Sequence, residues 1–127
     1  MSEQDDLRAA LAALAEHPGV DPNRLGIMGY SFGGMVALAV GKSSEQVRAL
    51  AAVSPVVTPG LMQGLSIPAY FICGTKDHVV STDLLIREAE AMTSPGQVEV
   101  VQGVDHFWVG HEAEMAGKVA AFFGSVL

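Results

Sequence analysis

The chain is poor in cysteine, in cations and in long apolar runs, and each shortage excludes something. Its one cysteine, Cys73, cannot close an intrachain disulfide. The setting Ala-Tyr-Phe-Ile-Cys-Gly reads as a buried strand, not as the surroundings of a nucleophile. Lys and Arg number 7 against 14 Asp and Glu, for a formal net charge of −7. The cations are scattered, so no basic face is available for a phosphate backbone and no nucleic-acid partner is expected. No apolar stretch approaches the ~20 residues of a membrane span. The start, Met-Ser-Glu-Gln-Asp-Asp, is acidic and lacks the basic-then-apolar pattern of a signal peptide. A cytoplasmic protein with no membrane partner is expected.

Charge of either sign is scarce too. Charged residues make up 17% of the chain, below the roughly 25% of ordinary soluble domains, while 50% is hydrophobic. A length of 127 residues then suffices for one core and not comfortably for two, so a single domain over 1–127 is expected. Some apolar surface is left over for an interface.

Repeats, low-complexity tracts and linkers are also missing. Helical and extended patterns alternate instead. Residues 3–16 predict a helix, with Leu7, Ala10, Leu11 and Leu14 on one face, a Ser2/Asp5 capping box, and His17-Pro18-Gly19 as the stop. Leu25–Tyr30 predicts a strand, about 32–42 a helix, Ala49–Ser54 a strand and 55–66 a loop. Ile67–Gly74 predicts the most apolar strand, 82–92 a helix capped by Ser81, Gln97–Gln102 a strand rich in valine, and about 111–127 a last helix. That helix places Met115, Val119, Phe122 and Val126 on one face. Apolar strands between helices predict an α/β fold, a three-layer sandwich around a short, mostly parallel sheet of about four strands. In such sheets working groups gather at the carboxyl ends of the strands.

Three of these strand ends carry chemistry. The first runs into Gly29-Tyr30-Ser31-Phe32-Gly33-Gly34, a G-x-S-x-G between a strand and a helix. A serine on so tight a turn takes strained backbone angles and projects its hydroxyl from the sheet. Side chains two residues either side are expected to collide, which asks for glycine at both. The helix amino end directs N–H groups and a positive partial charge at the site, and the Phe32 N–H can be an oxyanion donor. The third strand runs out through Gly74-Thr75-Lys76-Asp77, and the fourth through Gly103-Val104-Asp105-His106-Phe107-Trp108. Alone, Asp77 reads as a turn aspartate and His106 as a loop histidine. Together, serine, acid and base follow one another in the order Ser31, Asp77, His106, each just after a strand. That order makes Ser31 the candidate nucleophile, His106 the general base and Asp77 the acid that orients it.

The other candidates rank lower. His17 lies at a helix end, His78 adjoins Asp77 too closely to use it as orienter, and His111 opens the last helix. Asp105 is too near His106 in sequence to reach its far nitrogen. His106 and His111-Glu112 do not match a ligand spacing such as H-E-x-x-H, so neither metal nor cofactor is expected. Tyr30, Phe32, Phe107 and Trp108 are candidates for an acyl pocket, with Tyr30 and Trp108 taken as the substrate-binding pair, against the plainer reading that two or more of them are core.

The elbow, the Gly-Thr-Lys-Asp turn and the Asp-His-Phe-Trp loop resemble the α/β-hydrolase superfamily, and most closely its dienelactone-hydrolase-like and small lidless esterase-like branches. Dienelactone hydrolases proper carry cysteine where Ser31 stands. The resemblance covers the carboxyl-terminal half of the family fold, without the earlier strands and without the loop that supplies a second oxyanion donor. It implies a serine esterase acting on small soluble esters through an acyl-enzyme on Ser31, since the 55–66 loop is too short for a helical lid. A peptidase or thioesterase of the same fold, and a non-catalytic half-domain used for assembly, stay open as alternatives. Activity is expected to fall as His106 gains a proton, near or below the ~6.5 of a free imidazole. With its neighbouring strand missing, Leu25–Tyr30 becomes an exposed apolar edge, which predicts a homodimer or higher oligomer that covers it.

Overall fold

The computed structural model describes residues 2–94 and 96–127. Its elements in order are α1 (Glu3–Ala15), β1 (Leu25–Tyr30), α2 (Phe32–Ser43), β2 (Val47–Val53), β3 (Ala69–Lys76), α3 (Thr82–Glu90), β4 (Gly96–Asp105) and α4 (Glu112–Val126). The strands form one sheet in the order β1-β2-β3-β4, and every pairing is parallel. The expected fold class is therefore the one observed. None of these helices is long and apolar enough to cross a membrane.

Local signals set the helix ends. The Ser2 hydroxyl accepts from the Asp5 N–H, and the Asp5 carboxylate accepts from the Ser2 N–H, closing the capping box. The Ser81 hydroxyl accepts from the Leu84 N–H and starts α3.

The period of two along each strand sorts side chains between the two faces. Leu50, Ala52, Phe71 and Cys73 join Leu11, Leu38, Val40 and Leu85 in a core beneath α1, α2 and α3. Ala49, Ala51, Val53, Tyr70 and Ile72 face the other way and meet Val119 and Phe122 of α4. The middle strands are thus covered on both sides, which is why they read as unbroken apolar runs. Met115 and Val126 pack against the second cluster, as their helical spacing predicts. Close approach of α2 depends on small residues: a side chain on Gly41 would meet Leu50 at 2.9 Å, and one on Gly34 would meet Pro55 at 3.2 Å.

Three strands differ from their expected bounds, β2 among them, which runs Val47–Val53 rather than 49–54. β3 starts at Ala69 rather than 67, because Pro68 precedes it and has no N–H for a ladder. It continues to Lys76, and β4 continues to Asp105 rather than 102. The cause is Gly74. A side chain there would sit 2.0 Å from the Val104 carbonyl oxygen, so only a bare Cα lets β4 close against it. The register shifts between Gly74 and Lys76, and the last pair is Lys76 with Asp105. The next residues on the two strands are Asp77 and His106.

β1 lies at the edge of the sheet. Met28 and, on neighbouring α1, Leu14 are exposed beside it, around an open cavity of about 240 Å³ lined by Leu7, Leu11, Gly26 and Ile27.

Candidate active site

Ser31 sits at the turn from β1 into α2 with φ 54° and ψ −118°, a conformation that is costly for a residue with a Cβ. The turn is held from both sides. The Ser31 N–H donates to the Val53 carbonyl at 2.9 Å, and the Gly34 N–H donates to the Ser31 carbonyl at 3.0 Å. The two flanking glycines are not equivalent. A Cβ on Gly29 would lie 2.0 Å from the Gly33 carbonyl oxygen, whereas a Cβ on Gly33 would meet nothing within 4 Å. The expected collision therefore exists on the strand side only, because the chain doubles back over Gly29 while Gly33 faces open space. The Ser31 hydroxyl makes no capping bond to α2 and is available to a partner.

That partner is His106. Its Nε2 lies 2.9 Å from Ser31 Oγ, and its Nδ1 lies 2.8 Å from Asp77 Oδ2. Ser31, Asp77 and His106, 75 residues apart from first to last, are thereby joined in one line. The second Asp77 oxygen accepts from the Val79 and Val80 N–H groups at 2.9 and 3.0 Å, so the carboxylate cannot rotate away. Burial pushes the Asp77 pKa up. Hydrogen bonds from His106 and the Val79 and Val80 amides, with the influence of the Ser54 hydroxyl, outweigh it, and the pKa lies below the usual carboxylate value. Asp77 is thus held as an anion, the form that fixes the imidazole tautomer with its proton on Nδ1 and leaves Nε2 free to take the serine proton.

The loop that carries His106 is braced on three sides. Asp105 Oδ1 accepts from the Phe107 and Val109 N–H groups at 3.1 and 3.3 Å, so it shapes the loop and stands apart from the relay. The Tyr30 hydroxyl donates to the His106 carbonyl at 2.7 Å, and its ring lies 5.5 Å from the imidazole. Burial, then the nearby Asp77 and Asp105 charges, raise the Tyr30 pKa and keep that donor protonated. Tyr30 thus ties the serine turn to the histidine loop while part of its ring remains exposed beside the site. Trp108 is the correction. Only 1% of it is exposed, so it cannot line a substrate pocket. Its ring is driven into the core under α4, and its Nε1–H donates to Ser54 Oγ at 2.9 Å. Of the four aromatic candidates Trp108 alone is core, one fewer than the plainer reading requires. With Tyr30, the exposed large hydrophobic residues around the relay are Phe32, Val79, Phe107 (70% exposed) and Val109.

Phe32 is the first residue of α2, and a first-turn N–H has no carbonyl acceptor within its own helix, which suits it to an oxyanion. Of the remaining histidines, His78 is exposed beside Asp77 and the other two have partners elsewhere. His17 Nδ1 accepts from the Gly19 N–H, and His111 begins α4 next to Glu114. Cys73 is fully buried within β3, and burial raises its thiol pKa, which keeps it unreactive. Sequence reasoning missed Ser54. A serine at the end of an apolar strand before proline looks like a turn residue, and no spacing rule marks it.

Comparison with known proteins agrees with this fold. The profile described as Dienelactone hydrolase family matches residues 2–122. Among solved structures, a dienelactone hydrolase from Anabaena variabilis superposes with a TM-score of 0.85 at 20% identity, covering 98% of this chain and 59% of its own. A lidless α/β serine hydrolase from Xanthomonas campestris gives 0.82 at 21% identity, covering 98% and 57%. Dipeptidyl peptidase 4 from Porphyromonas gingivalis gives 0.79 at 22% identity, covering 98% of this chain and 23% of the peptidase. The chain thus spans under three fifths of the length of the two smaller hydrolases. No curated protein matches it.

Proposed function

We propose that this chain, which belongs to the dienelactone hydrolase family and has the α/β-hydrolase fold, is a serine hydrolase that cleaves small esters through an acyl-enzyme on Ser31. The observation that carries the reading is the unbroken line Ser31 Oγ, His106 Nε2, His106 Nδ1, Asp77 Oδ2, with contacts of 2.9 and 2.8 Å. His106 Nε2 takes the hydroxyl proton as Ser31 Oγ attacks the ester carbonyl. The carbonyl oxygen becomes an oxyanion facing the positive end of α2, where the Phe32 N–H donates to it. His106 then gives its proton to the departing alkoxide, which leaves as an alcohol. Water enters, loses a proton to His106 and attacks the acyl carbonyl. The proton returns to Ser31 Oγ and the acid leaves.

The apolar rim of Phe32, Val79, Phe107 and Val109 favours esters with a small apolar group on one side of the bond. A serine nucleophile sets the chain apart from cysteine-bearing members, and an ester substrate suits the short loop between β2 and β3. The test is incubation with a fluorophosphonate probe and with p-nitrophenyl acetate and butyrate. Labelling and turnover are expected in the unsubstituted protein and absent in Ser31→Ala, and equal turnover in the two would sink the proposal.

The exposed edge of β1, with Met28 and Leu14 beside it, supports a second reading of how the chain works: as a homodimer or higher oligomer that covers this edge. Light scattering after size exclusion tests it, and a stable monomer at micromolar concentration would contradict it.

A further inference from the structure

Among the described residues, the buried polar side chains are Ser54, Asp77 and His106. Two of them belong to the relay, and Ser54 has no step of its own in the proposed reaction. We propose that Ser54 and Trp108 form a positioning pair, a hydrogen bond across the carboxyl edge of the sheet that holds the His106 loop and the Asp77 carboxylate in line with Ser31. The inference rests on the reading of Ser31, His106 and Asp77 given above.

Three observations meet here. The first is backbone strain. The residues other than glycine with positive φ among those described are Ser31 at 54°, Ser54 at 47° and Trp108 at 58°. Such conformations persist only where the surroundings over-determine them. One is the nucleophile, and the other two are bonded to each other, Trp108 Nε1 to Ser54 Oγ at 2.9 Å, with both side chains buried.

The second is location. Ser54 follows Val53, whose carbonyl accepts the Ser31 N–H at 2.9 Å, and its own N–H donates to the Ile72 carbonyl at 2.8 Å. It therefore stands between the serine turn and the strand that leads to Asp77. Trp108 lies two residues beyond His106. Its ring is packed among Tyr70, Ile72, Val104 and Phe122, so the loop is anchored in the core at that point.

The third is proton direction. An indole N–H can only donate, so Ser54 Oγ is the acceptor in this bond. Its own hydroxyl proton is then left for another acceptor, and in a buried setting it needs one. The inferred acceptor is the Asp77 carboxylate, whose pKa the Ser54 hydroxyl helps to lower. The pair thus links the loop of the base to the acid through one hydroxyl. A hydroxyl donating to Asp77 draws on the negative charge that Asp77 offers to an imidazolium. Removing it leaves more of that charge to the histidine, and the acid limb of the rate profile moves to higher pH. The other ionisable groups around the pair and the relay are Tyr30 at the end of β1, Tyr70 and Cys73 in β3, His78 beside Asp77 and Asp105 at the end of β4. All stay in place in the variants below.

The test compares Ser54→Ala, Trp108→Phe and the double variant. In Ser54→Ala, kcat for p-nitrophenyl acetate is expected to fall about 3- to 10-fold, one ordinary hydrogen bond's worth, with KM within about a factor of two. The acid limb of kcat/KM is expected to rise by roughly half a unit. Trp108→Phe keeps an aromatic ring in the core and should move both quantities the same way by less. The double variant should be no worse than Ser54→Ala, because one bond is being removed twice. Proton NMR of the His106 Nδ1–H resonance reads the same link without turnover, and Ser54→Ala should move it downfield. An unmoved resonance overturns the pair whether or not the protein hydrolyses esters. So does an unmoved acid limb, or losses that add in the double variant. Absence of probe labelling in the unsubstituted protein would instead sink the Ser31 reading. If Ser54→Ala does not fold, Trp108→Phe carries the same NMR and pH readouts.

Discussion

From Ala49 to Val53 the second strand is extended, apolar and fully buried; one residue later Ser54 turns to φ 47° and presents a hydroxyl to the interior. The same change occurs across the whole sheet. Its middle is alanine, valine, phenylalanine and isoleucine packed between two layers of helix. Its carboxyl end collects the strained residues Ser31, Ser54 and Trp108, the buried polar residues Ser54, Asp77 and His106, and exposed Phe32, Val79, Phe107 and Val109. Each of these features costs free energy by itself. They are tolerated together because parallel ladders on either side fix the strand ends that bear them. The middle of the sheet supplies the stability, and the rim uses part of it to hold groups in conformations and burial states they would not choose alone.

The sharpest way to break this contrast is to remove chemistry without touching the frame. Ser31→Ala should lower ester turnover by about 10⁴-fold or more and abolish probe labelling, with thermal stability retained or raised. His106→Ala should match it in turnover, and loss of folding in either variant would show that the rim also supports the frame.

Asp77→Asn should cost about 10³- to 10⁴-fold in kcat, because the amide no longer favours the tautomer with its proton on Nδ1. The same variant tests the linkage to stability. The folded pKa of Asp77 is depressed, so its contribution is present above the unfolded carboxyl value of ~3.9 and is lost as pH falls through the lower folded value. Unfolding titrations at pH 7 and at successive steps below about 4 should show the original protein losing more stability than Asp77→Asn over that window. Parallel losses would remove Asp77 as a depressed group.

Smaller effects separate glycines that look alike in sequence. Gly74→Ala forces a methyl against the Val104 carbonyl, 2.0 Å away, where β4 closes on β3. It should destabilise by about 2–4 kcal/mol in urea unfolding and lower activity as well, since Asp77 and His106 follow that pair. Gly33→Ala meets nothing within 4 Å and lies in the first turn of α2. It should be neutral or stabilising by about 0.5–1 kcal/mol. A large loss in Gly33→Ala would restore the symmetric view of the serine turn.

Much of the site was legible because a parallel sheet delivers its strand ends to one rim. A glycine-flanked serine before a helix, an acid after the third strand and a histidine after the fourth were enough to name the three residues that the structure brings together. The apolar alternation likewise told which helices and strands exist. Boundaries at the rim were harder to see. Thr75 and Lys76 look like turn residues, and Gln102-Gly103 looks like a strand's end, yet the ladder continues past both.

The order of elements, the parallel sheet and the positions of Ser31, Asp77 and His106 follow from the chain's own pattern, because periodicity and turn chemistry are local properties. Three matters were decided only in the folded molecule. The Lys76–Asp105 pairing sets acid beside base, the burial of Trp108 turns a supposed pocket residue into an anchor, and the bond from that anchor makes Ser54 part of the site. Each depends on the distance between atoms of segments tens of residues apart, such as Ser54 and Trp108, and no local pattern encodes that distance.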